Sequence, residues 1–281
     1  MDAREDAISE ELLDQVLERL SFSDLPEPDL AGLAALYREW CRRVPFDNVR
    51  KLIALSGSEA GSALLPGTGA EDFFQAWLRH GTGGTCWPTA NALHVLIRGC
   101  GFSSRRVAAS MAETGEPTHA MTVVTIGESE YLVDSSMLTD SPVELDPARP
   151  TRTTHPVFGT EAEPVEEGWR FQFPLPFAEA TMSCRTISPD GVDHAYFSER
   201  YEISRVFSPF NVNVSTRRND GDSVISYGGA KRFVRSPAGV DESDLSGDAL
   251  RAALIEELSM SEEIIHELFC TWAPLPPSGE A

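Results

Sequence analysis

The stretch GTGGTCWPTANALHVLIRGCGF, residues 81–102, sets three glycines ahead of a cysteine and an apolar helical pattern behind it. A cysteine that only fills a core needs no such position. A nucleophile does, because backbone N–H groups and the dipole at a helix start favour a thiolate. The glycines would also let the loop backbone come close to a substrate. Pro88 is tolerated in the first turn of such a helix, and Gly99 or Gly101 stops it.

A cysteine nucleophile needs a base, and the base needs a third group to orient it. His119 opens the segment HAMTVVTI, 33 residues after Cys86, and Asp134 closes EYLVD, 15 residues further on. Both segments read as short strands rich in β-branched residues. A two-residue turn at Ile126-Gly127 would set residues whose numbers add to 253 opposite each other, placing His119 and Asp134 on one face. A four-residue loop would shift the pairing but keep the face. The remaining histidines fit less well: His94 is mid-helix, His80 flanks a loop, and His155, His194 and His266 have no strand-borne carboxylate nearby.

Upstream, Ile8, Leu12, Leu13, Val16, Leu17 and Leu20 recur at helical spacing, as do Leu30, Leu33, Leu36, Tyr37 and Trp40. EDFFQAWLRH predicts a third helix, closed by Gly81. Downstream, RRVAASM, WRFQF and MSCRTIS predict further strands, and residues 142–167 read as loop. DHAYFSERYEISRVF predicts a helix, residues 211–229 a hairpin, and residues 247–269 one terminal helix. Helices followed by an antiparallel sheet and a mixed C-terminal segment make the fold class α+β rather than doubly wound.

With 41% hydrophobic residues among 281, the chain can build a substantial core. No apolar run reaches transmembrane length, and the acidic start MDAREDAISEEL is not a secretory signal. Five cysteines without a CxxC pair argue against a disulfide framework and against a metal site, and they suit a cytoplasmic protein. A net charge of −21 speaks against nucleic-acid and anionic-membrane partners. Residues 203–235 run against that trend, with six basic residues and two acids.

Five segments together resemble the successive motifs of the arylamine N-acetyltransferases: VPFDNV (44–49), GGTCW (83–87), HVLIRGCGF (94–102), THAMTVV (118–124) and EYLVDSS (130–136). FSPFNVNVST (207–216) fits as well. The resemblance implies a helical lobe over residues 1–102, a β-barrel-like lobe over 103–190 and a C-terminal α/β lobe over 191–281. It matches Cys86 to the acyl-accepting cysteine, His119 to the base and Asp134 to its orienter. Three positions depart from the family pattern: Thr82 replaces an arginine, Pro88 a glutamate, and Ser135-Ser136 a Val-Gly step.

The function expected is transfer of an acyl group, acetyl in the usual case, from a thioester donor such as acetyl-CoA through Cys86 to an amine, with no permanently bound cofactor. Phe46 and Trp87 are expected to line the acceptor pocket. Arg217, Arg218, Lys231 and Arg232 are expected to hold the phosphates of coenzyme A. Alternatives are an amide synthase fed by an acyl carrier protein, a cysteine hydrolase, and a relative that has lost turnover.

Overall fold

The computed structural model describes residues 7–57 and 63–272. Five helices build the first part of the chain: α1 (Glu10–Arg19), α2 (Leu30–Arg43), α3 (Val49–Ser56), α4 (Ala70–His80) and α5 (Cys86–Gly99). A two-residue strand, β1 (Phe46–Asp47), lies between α2 and α3. Ser9 and Asp29 cap α1 and α2 by accepting the Leu12 and Gly32 N–H groups at 3.2 and 2.8 Å. Gly81 ends α4 in the left-handed region, where a side chain would run into the Ser259 carbonyl.

Helix α5 is enclosed, with every residue from Cys86 to Ile97 buried. Its weak sidedness follows from being covered all round. Trp40 of α2 stacks on Phe73 of α4 with ring centres 6.0 Å apart, and both sit in the core that α5 shares with α1, α2 and α4. The buried start of α5 is therefore anchored, and a residue there has a fixed position.

The central part is one antiparallel sheet of eight strands in the order β5-β4-β3-β2-β9-β8-β7-β6. The strands are β2 (Ser103–Met111), β3 (His119–Ile126), β4 (Ser129–Val133), β5 (Val143–Glu144), β6 (Thr151–Arg152), β7 (Glu161–Val165), β8 (Gly168–Pro174) and β9 (Thr181–Thr186). The edge strands β5 and β6 approach each other, so the sheet curls into a nearly closed barrel around Val107, Met121, Leu132, Phe171 and Phe173. Residues 142–167, expected as loop, thus supply three strands. They are short and rich in Pro, Thr and Glu, and they are strands through pairing: β5 with β4, β7 with β8 and β6 with β7.

The C-terminal part adds α6 (His194–Ile203), a single 3-10 turn at Pro209–Asn211, β10 (Ser215–Asp220), β11 (Ser223–Gly228), β12 (Lys231–Ser236), β13 (Gly239–Asp244), α7 (Gly247–Glu256) and α8 (Glu262–Thr271). The expected terminal helix is broken in two. Ser259 takes a positive φ of 57°, and Ser261 caps α8 by accepting the Ile264 N–H. The second sheet runs β1-β10-β11-β12-β13, so Phe46 and Asp47 from the helical part form its first strand. Helix, barrel and C-terminal sheet give the α+β, three-part arrangement that the order of elements predicts.

Candidate active site

Cys86 is the first residue of α5, preceded by Thr85 in extended conformation. Thr85 makes no side-chain cap bond, and Pro88 in the first turn carries no N–H for it to accept. The helix-terminal N–H groups nearest the sulfur are those of Cys86 and Trp87. The glycines ahead of the cysteine serve the fold. A Cβ on Gly83 would lie 1.8 Å from the Pro45 carbonyl oxygen, and Gly84 pairs with Phe46 in a parallel bridge. The loop can lie on residues 45–47 only because it has no side chains there.

Asp47 fixes that loop. It is fully buried, and its carboxylate accepts the Gly83 N–H at 2.5 Å and the Val49 N–H at 2.9 Å. Burial pushes its acidity to about 6, against the pull of those two N–H groups and of Arg50. Asn48, next in the chain, donates to the Phe210 and Asn213 carbonyls and accepts the Ser215 N–H, all at 2.8 Å. The VPFDNV segment thereby ties the nucleophile loop to the C-terminal sheet.

Cys86, His119 and Asp134 come together as expected from their spacing. His119 Nε2 lies 2.7 Å from Asp134 Oδ2, and the Cys86 thiol, which donates to the Thr118 carbonyl at 3.8 Å, sits beside the same ring. All three are buried. The hairpin register differs from the expected one by two residues: Gly127-Glu128 forms the turn, with Gly127 at a positive φ of 61°, and Ile126 pairs with Ser129. His119 and Asp134 are therefore diagonal rather than facing. The parity is unchanged, so both side chains still point to one face.

Burial opposes a charge on His119, but the Asp134 carboxylate and the neighbouring Cys86 outweigh it and push the imidazole up to about 10. Asp134 is held below the usual carboxylate range: burial alone would raise it, and His119 with the Ser136 and Met137 N–H groups overcomes that. The arrangement favours a charged imidazolium between carboxylate and sulfur.

Tyr37 supports Asp134 from behind. Its hydroxyl donates to the Asp134 carbonyl at 2.7 Å and accepts the Asp134 and Thr139 N–H groups at 3.0 and 3.1 Å. In the sequence Tyr37 reads only as an apolar helix position. Ser135, one of the departures from the family pattern, donates to Thr89 Oγ1 of α5 at 3.0 Å, joining the aspartate turn to the nucleophile helix.

Two cavities adjoin at the site and share Met111, Met182, Pro209 and Phe210. The first, about 520 Å³, contains Cys86 and Trp87; the second, about 450 Å³, contains Phe46 and Arg217. Phe46 and Trp87 are thus each at a cavity wall. The four basic residues expected to share one anion patch do not. Arg217 and Arg218 are consecutive in β10 and project to opposite faces, and Arg218 lines a separate cleft with Arg19, Arg42 and Arg43. Arg232 pairs with Glu257, and Lys231 with Glu242 and Asp244. Strand alternation and carboxylates distant in sequence dismantle the patch.

A family model described as N-acetyltransferase matches residues 29–174, just over half of the chain. The chain belongs to the arylamine N-acetyltransferase family. As a family member it is an acyltransferase. Comparison with curated proteins finds no match. Solved arylamine N-acetyltransferases share the fold. The Mycobacterium abscessus enzyme is 17% identical with a TM-score of 0.74, over 91% of this chain and 93% of that one. The Salmonella typhimurium enzyme is 14% identical with a TM-score of 0.75, over 95% and 100%. The Mycobacterium marinum enzyme is 15% identical with a TM-score of 0.76, over 93% and 100%. Among the described residues no helix is long and apolar enough to cross a membrane, and no cluster of His, Cys, Asp and Glu could hold a metal ion.

Proposed function

We propose that this arylamine N-acetyltransferase family member works by a ping-pong acyl transfer in which Cys86 is the nucleophile, His119 the acid and base, and Asp134 the orienter. The observation that carries the reading is the His119–Asp134 hydrogen bond with the Cys86 thiol beside the same imidazole, at a helix N-terminus. The Cys86 thiolate attacks the carbonyl carbon of an acyl thioester. The developing oxyanion is met by the Cys86 and Trp87 N–H groups. Collapse expels the donor thiolate, which takes the proton from the His119 imidazolium. In the second half an amine attacks the Cys86 acyl-thioester, His119 accepts a proton from the attacking nitrogen, and Cys86 leaves as thiolate.

Asp134 is buried and acceptor-only, so it holds the ring with Nε2–H toward itself and leaves Nδ1 for the sulfur. Trp87 and Phe46 form apolar walls for the acyl group and the acceptor. A coenzyme A thioester is the proposed donor, supported by the fold neighbour from Mycobacterium marinum, solved in complex with CoA.

Intact-protein mass spectrometry tests the reading. Incubation with acetyl-CoA and no amine adds one acetyl mass to the protein, the Cys86→Ala variant gains none, and an aromatic amine removes the adduct. Donor turnover without amine would make the protein a hydrolase, and absence of any adduct would refute the nucleophile.

A further inference from the structure

Four side chains form a straight row across the C-terminal sheet. Phe46 of β1 lies opposite Arg217 of β10, Arg217 opposite Ser226 of β11, and Ser226 opposite Phe233 of β12. Directly opposed residues share a sheet face, and all four line the second cavity. At the β1 end the row continues to Gly84, two residues before Cys86. Two aromatic residues thus flank a guanidinium and a hydroxyl on a surface that leads to the nucleophile.

Each of the two polar members has a buried polar atom without a hydrogen-bond partner. Arg217 Nε is buried without a hydrogen bond, and among the described residues no carboxylate lies within ion-pair distance of its guanidinium. What the guanidinium does meet is the Phe46 ring, 4.6 Å from its centre, and Met137 Sδ at 3.6 Å. Asp134 and Cys86 act on it through space but accept no hydrogen bond from it. Ser226 is 5% exposed, and its hydroxyl too has no partner. A buried cation and a buried donor left unsatisfied are costly, so their retention points to an acceptor that arrives from outside.

The walls say what kind of acceptor. Phe210 packs edge-on against Phe46 with ring centres 5.0 Å apart, Phe177 tilts against Phe233 at 6.1 Å, and Met111, Met137 and Met182 also line the cavity. A hydrated polyphosphate suits such a lining poorly. A planar ring carrying one carboxylate suits it well, with the ring among the aromatic and methionine side chains and the carboxylate on Arg217 and Ser226.

Resting on the acyl-transfer reading of Cys86, we propose that Arg217 and Ser226 form an anion subsite that recognises a carboxylate on the ring of the aromatic amine acceptor. The second cavity takes the acid end, and the amine end reaches into the first, where the acylated Cys86 stands.

The test is protection of Cys86 from iodoacetamide by 4-aminobenzoate and by 4-methylaniline, in which a methyl group replaces the carboxylate. It requires binding only, so failure of the acyl-transfer reading shows separately, as absence of an acyl adduct on Cys86. In the wild type 4-aminobenzoate protects at the lower concentration. Arg217→Met raises its half-protecting concentration by about 10- to 100-fold, as loss of a charge-assisted hydrogen bond implies, and shifts that of 4-methylaniline by less than about threefold. Ser226→Ala, a small change within a formed sheet, weakens 4-aminobenzoate protection alone by up to about tenfold and keeps the test open if Arg217→Met does not fold. Equal protection by the two amines in the wild type, or equal weakening of both in the variants, would overturn the subsite. A preference for succinyl over butyryl thioesters in acylating Cys86, lost in Arg217→Met, would place the anion on the acyl group and overturn the acceptor assignment.

Discussion

Asp47 accepts a hydrogen bond from the Gly83 N–H across 36 residues of sequence, and this contact sets where the nucleophile loop enters α5. The Val49 N–H donates to the other carboxylate oxygen, so Asp47 must accept on both sides. Asp47→Asn must turn an NH2 group toward one of two N–H donors. The expected loss is about 1–3 kcal/mol of stability, the cost of a buried unsatisfied donor, together with reduced turnover. Urea unfolding and steady-state kinetics measure the two. Unchanged values would mean that the loop holds its place without Asp47.

The five cysteines rank by environment. Burial pushes the Cys100 thiol up to about 12, and Cys41 and Cys184 are also raised, first of all by burial. Cys270 alone is exposed. Limiting iodoacetamide should modify Cys86, which lines a cavity and is the proposed nucleophile, first and the exposed Cys270 second, and the other three only after unfolding. Peptide mapping by mass spectrometry reads the order. Labelling of Cys270 ahead of Cys86 would argue against Cys86 as the nucleophile.

Asp134→Asn leaves the turn in place but offers His119 an amide in place of a carboxylate. A fall in turnover on the order of 10⁴ is expected, by analogy with the same change in a serine triad. Near-normal rates in a folded variant would return Asp134 to the role of a turn residue.

The same variant has a pH signature. His119 is raised in the folded chain, to about 10 from the ordinary value of 6.5. Its contribution to stability is complete below the ordinary value and disappears as pH rises through the folded one. Wild-type protein should thus lose stability relative to Asp134→Asn between pH 6.5 and about 10. Urea unfolding of both proteins across that window shows whether the gap narrows. A constant gap would mean that Asp134 does not hold the proton on His119.

Tyr37→Phe removes the hydroxyl that serves the Asp134 carbonyl and two N–H groups. Two buried donors lose their acceptor, at an expected cost of about 1–3 kcal/mol. Turnover should fall as well, because the aspartate turn loses its support from α2. A stable, fully active Tyr37→Phe variant would show that the turn is held by Asp134 Oδ1 and Thr139 alone.

Much of this protein is written locally. A helix beginning at Cys86, a hairpin that keeps His119 and Asp134 on one face, and a glycine stop at Gly81 follow from spacing, caps and strand parity. Parity tolerated the two-residue register error, because a shift of two returns each side chain to the same face. Even the family could be read from short segments, since VPFDNV and GGTCW carry both the nucleophile and the loop support.

Other features depend on partners far away in the chain. Residues 142–167 carry no strong strand signal; β5 and β7 pair on the edges that β4 and β8 offer, and β6 then pairs with β7. The break at Ser259 is set by contacts as much as by periodicity: the Ser261 N–H donates to His80, at the end of α4. The basic run at residues 203–235 looked like one patch, yet the pleat sends Arg217 and Arg218 apart, and Glu257 takes Arg232. The hydroxyl roles of Tyr37 and Ser226 carry no sequence signal, because a hydroxyl's role is fixed by what lies across from it. Local order came from backbone stereochemistry and periodicity, which neighbouring residues encode. Which charges meet, which donors go without an acceptor and which faces enclose a cavity were decided only when distant segments packed.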